Sequence, residues 1–135
     1  MPGSVAFDSA ASYAVFGLIK LGAYTGYSAI VKTWLEETKA RAITVGAART
    51  VLGMGVGGLY LFLLWDFWQT AGWMYWLCLL PVRVVEWWLV LRLFFGRPRS
   101  KLRRSIAIGF GVAVSFLADI PATLGWLLSG GFCVC

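Results

Sequence analysis

The chain has 135 residues, 60% of them hydrophobic and only 13% charged, with mean hydropathy +0.78. A soluble domain is about half apolar and about a quarter charged, and a small one leaves a large share of its surface in water. The composition therefore predicts an integral membrane protein. The net charge of +6 does not imply nucleic acid. Many of the basic residues crowd into one short segment, "RPRSKLRR", and no stacking or groove-reading module accompanies them.

Crossing a bilayer takes about 20 predominantly apolar residues in helix, and four segments meet that length. The first is residues 10–31. The preceding stretch "MPGSVAFDSAASYAVF" lacks a basic n-region and carries Asp8. It is therefore expected to lead into a retained helix rather than a cleaved signal. Gly22, Gly26 and Ala29 form a small-residue stripe on this helix, and Lys20 lies inside the span.

The connection "KTWLEETKAR" supplies Lys32, Lys39 and Arg41 before the second span, residues 42–65. That span has its own small stripe at Gly46, Thr50, Gly53 and Gly57, and it contains Arg49. The next connection, "DFWQ", has no basic residue.

The third span, residues 70–95, is bulky and aromatic. It carries Arg83 and Glu86 just after Pro81. Residues three apart share a helix face, so this pair neutralises itself. Arg83 is also expected to lie over the Trp87 ring, one turn on. Pro81 has no N–H, which leaves the carbonyl of Leu77 without its helical partner.

The basic segment follows, with Arg97, Arg99, Lys101, Arg103 and Arg104 expected to contact anionic lipid headgroups. The fourth span is residues 105–129. It repeats the acid–proline combination with Asp119 and Pro121 and has the longest small stripe: Gly111, Ser115, Ala118, Ala122, Gly125 and Ser129. Small residues along one face let helices approach closely in a membrane. Asp119 adjoins that stripe and is expected to point at a neighbouring helix, with Arg83 as the shared partner of Glu86 and Asp119.

These elements predict a four-transmembrane-helix bundle forming a single domain. Basic residues favour the cytoplasmic side, so both basic connections are expected inside and both termini outside an inner or plasma membrane. Trp65, Trp68, Trp73, Trp76 and Trp126 would then mark the outer interface and Trp34 the inner one. Trp87 and Trp88 lie deeper. An offset of 63 residues aligns "RAITVG" with "RSIAIG" and Lys20 with Arg83, which reads as two tandem helical hairpins.

Lys20, Arg49, Arg83, Glu86 and Asp119 are the candidate substrate- or ion-binding residues, since ionisable groups at membrane depth are costly and serve functions or strut helices together. Arg49, and less comfortably Lys20, are expected to snorkel toward the cytoplasmic face. The chain has no histidine. The tail "GFCVC" lacks the further ligands that a metal site needs, so neither metal nor cofactor is expected. Cys78 reads as packing, and Cys133 and Cys135 as disulfide-competent outside the cell.

Three functional classes remain. The first is a transporter or channel subunit for an ion, a proton or a small anionic solute, requiring a homo-oligomer because four helices cannot enclose a wide pathway. The second is a non-catalytic accessory subunit docked on other membrane proteins. The third is a lipid-acting enzyme, with Arg83, Arg49 and the basic segment on a phosphate and Glu86 or Asp119 as general base.

Overall fold

The computed structural model describes residues 10–35, 41–63, 74–95 and 100–129, with the side chains of 10–13, 61, 74–76 and 122–129 excepted. Its elements are α1 (Ala10–Trp34), α2 (Ala42–Leu63), α3 (Met74–Phe94) and α4 (Lys101–Ser129). Among the described residues the only regular secondary structure is helix, with no strand. Three stretches, Ala14–Trp34, Ala42–Tyr60 and Lys101–Pro121, are long and apolar enough to cross a membrane. α3 has 21 residues but carries Arg83, Glu86 and Arg92, and it does not join them on composition.

Two boundaries differ from expectation. α1 runs on to Trp34, and α4 begins at Lys101 rather than at residue 105. The cause of the second is local. The Ser100 carbonyl accepts the Arg104 N–H at 3.3 Å, and serine is a favoured residue just before a helix. Lys101, Arg103 and Arg104 thus belong to the first turns of α4 and not to a loop. Arg104 turns back on α3, with its guanidinium over the Trp88 ring at 5.9 Å. Arg97 and Arg99 lie outside the described residues, as do Trp65, Trp68, Trp73, Cys133 and Cys135.

Packing closes a ring: α1 lies against α2 and α4, and α3 against the same two. The usual distribution of polarity is reversed across this ring. Val51 is 73% exposed and Phe62 80%, while Lys20, Arg49 and Asp119 are each 0% exposed. An aqueous surface would make such an outer face an aggregation hazard; hydrocarbon tails would not.

Close approach rests on particular glycines. A Cβ added at Gly111 of α4 would lie 2.6 Å from the Trp87 ring, so the bulkiest side chain of α3 seats only because that position is empty. At Gly46 of α2 a Cβ would meet the Thr25 backbone of α1 at 2.8 Å. Gly53, Gly57, Ser115 and Ala118 are buried as well. The side chains of Ala122, Gly125, Trp76 and Trp126 fall outside the described set. The α1 stripe differs. Gly22 and Gly26 have nothing within 4 Å of an added Cβ and Ala29 is exposed, because Lys20, Tyr24 and Ser28 occupy the inward face instead.

Candidate functional site: a buried charge network

Each helix contributes to the core at helical spacing. α1 turns Phe16, Lys20, Tyr24, Ser28 and Val31 inward, and α2 turns Val45, Arg49 and Gly53. α3 presents Leu79, Arg83, Glu86, Trp87 and Val90, and α4 presents Ala107, Gly111, Ser115, Ala118 and Asp119. Steps of three and four residues put such sets on one stripe of a helix. The charged residues therefore converge by register, not by any irregularity of the backbone.

The five charges form one continuous chain of contacts. Lys20 Nζ lies 2.8 Å from Asp119 Oδ1. Arg83 Nη2 donates to Asp119 Oδ2 at 3.1 Å, and Arg83 Nη1 donates to Glu86 Oε2 at 3.3 Å. Arg49 Nη2 donates to that same Glu86 oxygen at 2.7 Å. Residues from all four helices are joined, and each of these side chains is at most 4% exposed.

Ser115 anchors the neighbouring layer. Its hydroxyl accepts from Trp87 Nε1 at 2.9 Å and from Arg49 Nη2 at 3.3 Å, and it donates to the Gly111 carbonyl at 3.0 Å. A hydroxyl has one donor and two acceptor sites, so Ser115 is saturated. Tyr24 and Tyr27 meet the Trp87 ring edge-on, with centroids 5.8 and 5.1 Å away. The Tyr27 hydroxyl donates to the Ala107 carbonyl. This aromatic layer lies beside the charges, and the Arg49 guanidinium lies 4.9 Å from the Tyr24 centroid and 5.3 Å from that of Trp87.

The structure brings together all five residues singled out from the sequence, and Arg83 does touch both carboxylates. Two expectations are corrected. Lys20 and Arg49 do not snorkel: both are fully buried, because each finds a carboxylate on another helix within the bundle. The cation over Trp87 is Arg49 of α2, where the sequence pointed to Arg83. Sequence reading also missed Tyr24 and the hydrogen-bonding role of Ser115. The signal was available in the four-residue steps from Lys20 to Tyr24 and from Ser115 to Asp119.

Several buried polar atoms have no hydrogen-bond partner among the described residues: Arg49 Nε and Nη1, Glu86 Oε1, and the hydroxyls of Tyr24 and Ser28. Unpaired polar atoms of this kind are rare in a protein interior, and each costs about 1–3 kcal/mol or more if charged. Comparison of the chain with protein-family models, with curated proteins and with solved structures finds no match. The activity is therefore read from the residues themselves.

Proposed function

We propose that the chain is a membrane transport protein or channel subunit whose polar core handles a small charged solute, with α3 completing a four-span bundle. The observation that carries this reading is the network itself: five buried charges drawn from all four helices. One ionisable residue at the centre of a membrane helix costs roughly 2.5–3.5 kcal/mol to insert. A strut needs one neutral pair, and this core has far more.

α3 fits the role of fourth span once its pairs are counted. Arg83 and Glu86 face inward and are neutralised there, while Leu77, Val85 and Leu93 on its outer side are exposed and apolar. Positive-inside bias places the two basic connections in the cytoplasm and the termini outside, and the Lys101–Arg104 turn at the anionic surface. A homo-oligomer supplies the enclosure that four helices lack. The runner-up is an accessory subunit, which the open face around Gly22 and Gly26 favours as a docking surface for another membrane helix.

The test is flux in proteoliposomes, measured separately for protons, sodium and chloride, with Asp119→Asn beside the parent. The parent is expected to move at least one of these, and the variant to lose that flux while its folded fraction survives. A folded parent that passes none of them ends the transport reading. So does a variant whose surviving folded fraction transports as well as the parent.

A further inference from the structure

Away from the charged core, α3 and α4 meet again where both approach the connection between them. Trp88 of α3 is 40% exposed there, and two guanidinium groups share its ring. Arg92, one turn on in α3, lies over it at 5.1 Å, and Arg104 of α4 at 5.9 Å. Arg104 Nη2 also reaches the Trp88 carbonyl at 3.5 Å, whereas its Nε is buried without a hydrogen-bond partner among the described residues. Stacking on an aromatic face holds a guanidinium in place and leaves its N–H edge to donate. That planar edge matches the oxygens of a phosphate.

The surface around this pair is graded in polarity. On α3, Val84, Trp88 and Arg92 follow at four-residue steps, and all three are exposed. On α4, Ile108, Arg104 and Lys101 follow at steps of four and three, the first two half-buried and Lys101 exposed. Such steps keep each set on one helix face. Both sets pass from an apolar residue to a basic one as they near residues 95–100. A phospholipid has the same order: acyl chains, then glycerol and phosphate, then the rest of the headgroup.

We infer that Arg92, Arg104 and Trp88 form a discrete site for one phospholipid with a net negative headgroup, its phosphate on the two guanidinium groups and its acyl chains past Val84 and Ile108. Lys101, one turn beyond Arg104, favours a headgroup without a cation of its own. The site is narrower than the attraction that any basic residue exerts on an anionic surface, since it needs one pair of side chains in one place. It rests on α3 being a membrane span, as proposed above, and not on transport.

The experiment is the thermal melt of the full chain in detergent micelles doped with dioleoyl phosphatidylglycerol or, as the reference, dioleoyl phosphatidylcholine. Native mass spectrometry counts the lipid retained. A ligand that binds only the folded state raises the melting temperature saturably with its concentration. Wild type is expected to melt on the order of 5 °C higher with the glycerol lipid than with the choline lipid, and to retain the former selectively. Arg92→Gln/Arg104→Gln is expected to lose both effects. Each variant is compared with itself in the choline lipid, so a change in its intrinsic stability cancels. Arg92→Gln alone, at an exposed position, is expected to weaken the response and carries the test should the double variant not fold. Lys32→Gln/Arg41→Gln removes as many charges beside the other basic connection and is expected to keep the response.

Equal melts of wild type in the two lipids overturn the site. A full response in either arginine variant does the same. So does a loss in Lys32→Gln/Arg41→Gln as large as in the double arginine variant, because only diffuse attraction would then be left. Inorganic phosphate that raises the melting temperature as far as the lipid does also overturns it, since the occupant would be a free anion. Flux through proteoliposomes reads the core separately. A lipid response without flux removes transport and leaves the site, and flux without a lipid response does the reverse.

Discussion

Glu86→Gln keeps the shape of the side chain that Arg49 and Arg83 share and removes its charge. Among the described residues, three buried cations then face Asp119 alone. The Arg49 contact at 2.7 Å is the tightest in the network, and no second carboxylate among the described residues replaces it. Stranding one member of a buried ion pair costs about 3–5 kcal/mol. The amide oxygen still accepts a hydrogen bond, which places this variant toward the lower end. Asp119→Asn should cost about as much, because it removes the carboxylate that Lys20 and Arg83 both contact, even though Arg83 retains Glu86. Lys20→Met is the control of opposite sign. It removes one of the three buried cations, leaves Arg83 on Asp119 at 3.1 Å and Arg49 on Glu86 at 2.7 Å, and keeps an apolar stem over Phe16. At roughly 2–8 °C per kcal/mol for domains of this size, the acid variants should melt on the order of 10 °C early. The Lys20 variant should stay within about 3 °C of the parent by the same scale. Melting is followed by tryptophan fluorescence in detergent. Equal losses from acid and base removal would refute the reasoning, because they would mean that contact rather than charge holds the core.

Two further outcomes follow from the packing and the topology. Gly111→Ala forces the Trp87 ring aside and should cost about 1–3 kcal/mol, whereas Gly109→Ala, two positions away on an open face, should be neutral or slightly stabilising; matching melts for the pair would show that the glycine seat is not tight. For orientation, a single cysteine at Ser100→Cys in a background without other cysteines should react with an impermeant maleimide only after cells are permeabilised. Labelling in intact cells would reverse the assigned sidedness.

The helical architecture was legible because the apolar runs are long and the interruptions between them short. The faces were legible in part. Gly111, Ser115 and Asp119 of α4 fall at four-residue steps, so their common inward direction follows from the helix period alone. The error over Lys20 and Arg49 has a definite physical cause. Distance along the chain to a membrane face says how far a side chain must reach to find water, but not whether a carboxylate on another helix is closer. Asp119 and Glu86 are closer, at 2.8 and 2.7 Å. Which cation stacks on Trp87 was equally hidden: Arg83 shares the tryptophan's own helix, yet the packing of α2 against α3 brings Arg49 to the ring.

The same tertiary fact decides how the core should be understood. Had Arg49 and Lys20 reached water, Arg83 with Glu86 and Asp119 would form an acidic triad, two carboxylates on one guanidinium, suited to a cation or a proton. Their inward placement changes that balance: among the described residues the core holds three cations and two carboxylates. Without Arg83 the network would fall into two separate pairs, Lys20–Asp119 between α1 and α4 and Arg49–Glu86 between α2 and α3; Arg83, touching both carboxylates, ties the four helices together. Gly53 makes room for that link, because a Cβ there would lie 2.5 Å from Arg49 Nη1 and 3.3 Å from Arg83 Nη1, the two groups that share Glu86.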